Sequence, residues 1–359
     1  MKNFFVKMIS VIMACLMLCS FFTACSKDFS KDSDETRRIV DMAGNTVNLP
    51  EKVNKVFVDW ASGVTLITTL SATDKLVCAP KAFETDTFAW TRIICPAIDS
   101  VKKDDDAYTN LEAVLNYEPD LVITKSTDNI ETYKKLGMAA IYVDFNNNES
   151  FKESLKIVGK ALGESEYKVA EKYCEYFDAN YKIVTDRLSK IDPKSKQTVY
   201  YVDSRFVDPY HSVGRGEIQE EWITAAGGIL ATAAEFEGRN LEINAEKILE
   251  INPDIIMIGA QNQAEVYDLL INNPVLCGLD AVKNKKVYRI PQGLFPWCRT
   301  GPEAAIQMIW AAKLLYPTEF EDIDIKTVAK KFYKDFYNSD VSNETLDGIL
   351  SGRICPTGK

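Results

Sequence analysis

Asn110-Leu-Glu-Ala-Val-Leu-Asn-Tyr-Glu-Pro119-Asp120 and Asn244-Ala-Glu-Lys-Ile-Leu-Glu-Ile-Asn-Pro253-Asp254 align without a gap, and five of their eleven positions are identical. Each reads as the same piece of chain: an asparagine capping a helix, a proline ending it, and an aspartate entering a buried strand. The runs that follow, Leu121-Val-Ile-Thr124 and Ile255-Ile-Met-Ile-Gly259, are short and apolar, the pattern of strands covered on both faces of a parallel sheet. A second pair, Val56-Phe-Val-Asp59 and Tyr200-Tyr-Val-Asp203, opens each half in the same order. Any two α/β units share some punctuation. Two matches in one order, on either side of one long helix, predict a duplicated lobe.

That helix is read over Tyr167 to Ile191, a stretch without Gly or Pro. Val169, Tyr173, Phe177, Tyr181 and Val184 recur at spacings of three or four, and Asp192-Pro193 stops it. Further strands are expected at Leu76-Val-Cys78, Ala140-Ile-Tyr-Val143, Thr198 to Val202 and Lys286 to Ile290. Ser150-Phe-Lys-Glu153 reads as a capping box, and so does Thr300-Gly-Pro-Glu303, with Pro302 in a first helical turn. The predicted fold class is α/β: two Rossmann-like lobes with central parallel sheets, joined by one long rigid α-helix, with a ligand cleft between the lobes. The boundaries are 39–165 for the N-terminal lobe, 166–192 for the linking helix and 193–359 for the C-terminal lobe.

Upstream, Lys2 and Lys7 precede an apolar run from Met8 to Phe22 that is short for a bilayer span, followed by Thr23-Ala24-Cys25-Ser26. Small residues before a cysteine resemble the lipobox of bacterial lipoproteins, with Phe22 in place of the usual Leu. Residues 1–24 are therefore expected to be a signal peptide and Cys25 the lipid attachment point. Polar residues 25–38 would be a flexible tether. This places the folded part at the outer face of the cytoplasmic membrane, attached to it by lipid alone, where ATP and NADH are scarce. Removing residues 1–24 takes two lysines and no acid, leaving a net charge of about −12. That sign disfavours nucleic acid and anionic lipid surfaces as partners, and no nucleic acid partner is expected.

Cys78, Cys95, Cys174, Cys277, Cys298 and Cys355 form no CxxC, and the single histidine, His211, excludes common Cys/His zinc patterns. Cys78 and Cys95 either pair or stay as free buried thiols. Cys298, between Trp297 and Arg299, reads as a small space-filling residue rather than a thiolate ligand. There is no Gly-x-Ser-x-Gly, no room for a histidine triad beyond His211, and no recognisable carboxylate pair. An enzyme is not expected, nor a cofactor.

Asp41-Met-Ala-Gly-Asn-Thr-Val-Asn-Leu-Pro50, the two Pro-Asp units, Glu221-Trp-Ile-Thr-Ala-Ala-Gly-Gly228, Asp280 to Pro291, Gly293 to Glu303 and Trp310-Ala-Ala-Lys-Leu-Leu-Tyr-Pro317 together resemble one family. It is that of the substrate-binding proteins of ABC importers for ferric siderophores, haem and cobalamin, the iron-complex branch. The resemblance runs over roughly residues 39–352. It implies a protein that captures a metal chelate and hands it to an importer's permease dimer. It also implies an acidic docking residue near the tip of each lobe, assigned by motif position to Glu112 and Glu221. Rival readings are a receptor for a metal-free organic solute or a simple metal ion, and a surface sensor or adhesin.

Ligands of open α/β sheets sit beyond the carboxyl ends of the strands. Trp60, Trp90, Tyr210, Phe295 and Trp297 fall in such loops or beside them, where they would stack on a flat chelate, although about half are expected only to plug a sheet edge. Arg205, Arg215 and Arg299 would neutralise an anionic complex. His211, in the loop Asp208-Pro-Tyr-His-Ser-Val-Gly-Arg-Gly216, is either a ligand to a metal with an open position or a hydrogen-bonding histidine.

Overall fold

The computed structural model describes residues 37–354, so the signal sequence, Cys25 and Cys355 lie outside the described residues. Two parallel sheets carry the architecture. In the first, β3 (Val56–Val58), β4 (Leu121–Thr124) and β5 (Ala140–Tyr142) pair in that order. An isolated parallel bridge from Val56 to Leu76 extends this sheet beyond β3. In the second, β6 (Thr198–Asp203), β8 (Ile229–Leu230), β10 (Ile255–Gly259) and β11 (Val287–Arg289) run β11-β10-β6-β8, again all parallel. The Leu76 segment, β3, β4 and β5 thus match β8, β6, β10 and β11 in spatial order. The duplicated sequence has become duplicated topology.

The repeated eleven-residue unit explains why. Asn110 caps a 3₁₀ helix, Leu111–Tyr117, and Asn244 caps an α-helix, Ala245–Ile251. Glu118 and Asn252 then both take left-handed backbone (φ 47° and 39°), which turns the chain before its proline. Asp120 accepts from the backbone N–H groups of Asn54 and Lys55 at 2.7 and 2.9 Å, just before β3. Asp254 accepts from the N–H and hydroxyl of Thr198 at 2.7 and 2.8 Å, at the start of β6. Each aspartate therefore fixes the neighbouring strand's start and with it the sheet register. Val114 and Ile248 are buried, whereas Leu115 and Leu249 are 40% and 38% exposed.

The linking helix spans Glu164–Leu188, 25 residues, or roughly 37 Å at 1.5 Å per residue. It starts and stops three residues earlier than the sequence pattern suggests, because Gly163 alone separates it from the preceding helix, Asn148–Leu162. Tyr173, Phe177 and Val184 are buried as expected, but Tyr181 is 44% exposed and Asn180 takes a buried place, donating to the Ala305 carbonyl at 2.8 Å. Among the described residues no helix is long and apolar enough to cross a membrane.

Three local expectations are corrected, and one left open is decided. Arg37 and Arg38 belong not to a tether but to β1 (Arg37–Val40), paired with β2 (Thr46–Leu49), and the Arg37 guanidinium holds the Ala161 carbonyl at 2.9 Å. The helix read from Ser150 is capped by Asn147, with Ser150 as the reciprocal partner three residues in. Glu303 closes no capping box: it is buried, and its carboxylate accepts from the Leu294 N–H at 2.5 Å. Cys78 and Cys95 are free and buried.

The last helices, Ile325–Tyr337 and Asn343–Leu350, return to the N-terminal lobe. Thr69 and Tyr337 share a hydroxyl hydrogen bond of 2.9 Å, Thr91 donates to the Leu294 carbonyl at 2.8 Å, and the Trp90 indole donates to the Arg353 carbonyl at 2.8 Å. The lobes are therefore cross-braced as well as linked.

Candidate ligand cleft

The carboxyl ends of both sheets run into one cleft of about 1240 Å³. From the N-terminal lobe it takes Lys125, which follows β4, and Asp144 to Glu149, which follow β5. From the C-terminal lobe it takes Asp203 and Arg205 at the end of β6, Gly216 to Glu221, and Phe295, Arg299 and Thr300. The linking helix contributes Phe177, Asp178, Tyr181 and Thr185 along one side.

Two aspartates end the first strand of each sheet. Asp203 is buried and forms a multidentate pair with Arg205, whose guanidinium also donates to Asn240 Oδ1 at 2.8 Å. Asp59 accepts from Asn129 Nδ2 at 3.0 Å, and burial raises its carboxyl above the usual range. The basic side chains of the cleft divide accordingly. Arg205 is neutralised by Asp203 and Arg239 by Glu217, at 3.0 Å. Arg299, half-buried, and Lys125, exposed, make no ion pair among the described residues. Lys196, exposed on the C-terminal lobe, is likewise without an ion pair among the described residues, so unpaired cations face the cleft from both lobes, which suits an anionic ligand held between them. Aromatic cover is limited to partly buried Phe145 and Phe295, buried Phe177 and exposed Tyr181, with Tyr201 beneath; Trp60 stands behind Phe145, ring centroids 6.0 Å apart.

The sequence-selected residues separate clearly. Arg205, Phe295 and Arg299 line the cleft. Trp90 does not: it is 5% exposed, its indole N–H is held by Arg353, and a Cβ on Gly348 would meet its ring at 2.5 Å. Trp297 is also core, 1% exposed and edge-on to Trp310 with centroids 6.4 Å apart. Tyr210 packs in the C-terminal lobe and accepts from Asn273 at 2.8 Å. Arg215 pairs with Glu237 at an exposed site outside the cleft. His211 pairs in β7 (His211–Ser212) with β9 (Leu241–Glu242), its Nδ1 2.8 Å from Asp208 and its ring stacked on Phe206 at 3.9 Å. No group of three or more His, Cys, Asp or Glu side chains able to hold a metal occurs among the described residues. Cys298 is buried, and its burial pushes the thiol up, consistent with space filling. These aromatics were misassigned because sequence places them in loops without saying which way the loops fold.

Glu221 is not at a lobe tip. It lines the cleft, half-buried, and its carboxylate accepts from the Asn148 N–H at 3.3 Å; burial raises its pKa. Glu112, by contrast, is exposed in the first turn after Asn110. Its counterpart in the repeat is Glu246, exposed in the first turn after Asn244. The gapless alignment already paired the two. Asn146, Asn147 and Asn148, which line the cleft, were not selected from the sequence, although the rule on strand ends also applies to the end of β5.

The profile of the family described as Periplasmic binding protein matches residues 36–294. The molybdate-binding protein MolA of Haemophilus influenzae is 22% identical over 358 residues, covering 93% of this chain and 97% of that protein. The Fe(3+)-citrate-binding protein YfmC of Bacillus subtilis is 22% identical over 302 residues, covering 80% and 90%. In structure, a periplasmic solute binding protein from Veillonella parvula superposes with a TM-score of 0.77 at 20% identity, covering 88% of this chain and 96% of that one.

Proposed function

The chain belongs to the periplasmic binding protein family, and on that footing we propose that it is a lipid-anchored receptor delivering a hydrophilic, anionic metal complex to an ABC importer. The observation that carries this reading is that cations without an ion pair face the cleft from both lobes, Lys125 from the first and Arg299, with Lys196, from the second. Two relatives are named for anionic metal species, molybdate and ferric citrate. A cleft of about 1240 Å³ is far larger than a tetrahedral oxyanion needs and favours the bulkier chelate. The scarcity of stacking aromatics disfavours a planar haem or corrin.

Cys25 carries the anchor in this reading. Glu112 and Glu246, each with an exposed leucine three residues on (Leu115 and Leu249), offer matching contacts to a two-fold permease dimer.

Native mass spectrometry of protein purified from its own host tests the ligand class. A metal-containing adduct supports the proposal, and a metal-free adduct supports the organic-solute reading instead. With ferric citrate as probe, followed by tryptophan fluorescence, Arg299→Ala and Lys125→Ala should each weaken binding by about 1–3 kcal/mol. Unchanged affinity in both variants would place the ligand elsewhere.

A further inference from the structure

Five side-chain hydrogen bonds cross between the N-terminal and C-terminal lobes among the described residues. Four belong to the brace: Thr69 with Tyr337, Ser71 with Phe336, Trp90 with Arg353 and Thr91 with Leu294. The fifth joins the Asn148 N–H to the Glu221 carboxylate at 3.3 Å, and it alone has both partners on the cleft wall.

The setting of this bond is built on both sides. Asn148 is the first residue of the 15-residue helix Asn148–Leu162, so its N–H has no partner within the helix and points out of the helix end. A carboxylate is favoured there by the helix dipole as well as by the donor itself. Glu221 lies in the helix Ile218–Ala225, two residues after Gln219, whose amide donates to the Cys298 carbonyl at 2.9 Å. Cys298 is the residue before Arg299. One short helix therefore holds the other lobe through Glu221 and the arginine-bearing loop through Gln219.

We propose that Glu221 is a positioning residue, a latch that sets the width of the ligand cleft by holding the N-terminus of the Asn148–Leu162 helix. The contact is long and confined to one residue, Asn148, whose side-chain amide stands beside its N–H at the carboxylate, so it yields when the lobes part, while the four brace bonds persist. Arg299 then keeps its place on its own lobe, and its separation from Lys125 is what the latch fixes. The inference rests on the cleft being the binding site but not on which anion fills it.

The two partners can be removed independently. Proline at the first helical position is well tolerated and lacks an N–H. The preceding residue, Asn147, already has the extended backbone (φ −144°, ψ 173°) that a following proline requires. Asn148→Pro thus deletes the donor and leaves the helix. Glu221→Ala deletes the acceptor, and Glu221→Gln retains an amide oxygen in its place.

Pulsed electron paramagnetic resonance between spin labels on Asp128→Cys and Asp268→Cys, one exposed position per lobe, reads the cleft width in the ligand-free protein, with Cys277 and Cys355 replaced by serine. Asn148→Pro and Glu221→Ala should each move the distance distribution to longer values and broaden it. The double variant should move it no further, and Glu221→Gln should stay near the parent. A distribution unmoved by both single variants would overturn the latch. So would a shift in Glu221→Ala with none in Asn148→Pro, since Glu221 would then act through some other contact.

Discussion

Glu303 should make the protein's stability fall as pH rises. Its side chain is 1% exposed, Oε1 accepts from the Leu294 N–H at 2.5 Å and from the Tyr333 hydroxyl at 3.3 Å, and the space around it is closed. A Cβ on Gly293 would stand 2.3 Å from that oxygen, so the loop packs against the carboxyl directly. Burial outweighs these hydrogen bonds and pushes the group from 4.5 up to about 8. A folded-state pKa above the unfolded one means that the folded protein holds the proton more tightly. The stabilisation is then complete below about pH 4.5 and is lost as pH rises through about 8. A gap of about 3.5 units, at about 1.4 kcal/mol per unit, corresponds to roughly 5 kcal/mol in all. The loss therefore accrues at about 1.4 kcal/mol per pH unit through the neutral range.

Glu303→Gln isolates this effect, because the amide keeps an acceptor for Leu294 and carries no charge at any pH. Urea unfolding of both proteins, at intervals from about pH 5 to about pH 8, gives the difference in unfolding free energy directly. That difference should move in the variant's favour with every unit of pH, at about the slope just given. A constant difference over the whole range would refute the reasoning, since Glu303 would then ionise alike in the folded and unfolded chains.

Three further outcomes are expected. Glu112→Arg combined with Glu246→Arg should abolish cellular uptake while ligand affinity of the purified protein stays unchanged; persistent uptake would remove these acids from the importer contact. Cys25→Ser should move the protein from the membrane fraction into the soluble extracytoplasmic fraction, and unchanged partitioning would exclude lipid attachment there. Trp90→Ala should cost about 3–5 kcal/mol of stability and lower the thermal midpoint, because it empties a buried site and frees the Arg353 carbonyl. A midpoint within error of the parent would show that the brace contributes little.

The fold was legible wherever the sequence imposed a local rule with one structural solution. Asn110 and Asn244 could only serve as caps, and Asp120 and Asp254 sit where a buried strand begins, so the register of both sheets follows from the repeat. The site was legible only in part. Arg205, Phe295 and Arg299 were found because strand ends point at the cleft, but Trp90 and Trp297 obey the same rule and are core. The difference lies in the C-terminal helices, which fold back over the N-terminal lobe and cover Trp90 with Gly348 and Arg353. No periodicity near Trp90 announces a partner some 260 residues away. Glu221 failed differently: its sequence neighbourhood, an acidic first turn before a Gly pair, is shared by surface helices and by helices whose first turn faces another lobe.

The brace and the latch together decide what kind of motion the cleft can make. A continuous helix without Pro or Gly bends little, but a single helix would still leave the lobes free to twist about its axis. The return of Ile325–Tyr337 and Asn343–Leu350 to the N-terminal lobe removes that freedom, since Tyr337, Phe336 and Arg353 hold Thr69, Ser71 and Trp90 far from one another along the chain. What remains is a small opening in which Asn148 and Glu221 part and the braced side serves as pivot. A ligand bridging Lys125 and Arg299 acts on that same coordinate. It stabilises the narrow cleft only to the extent that it binds the narrow form better than the wide one. Because the opening is small, little of the binding energy goes into rearranging the lobes. The docking faces proposed at Glu112 with Leu115 and at Glu246 with Leu249 would therefore keep nearly the same separation whether or not the cleft is filled. On that proposal, discrimination between loaded and empty receptor would come from changes of small amplitude, concentrated at the proposed Asn148–Glu221 latch.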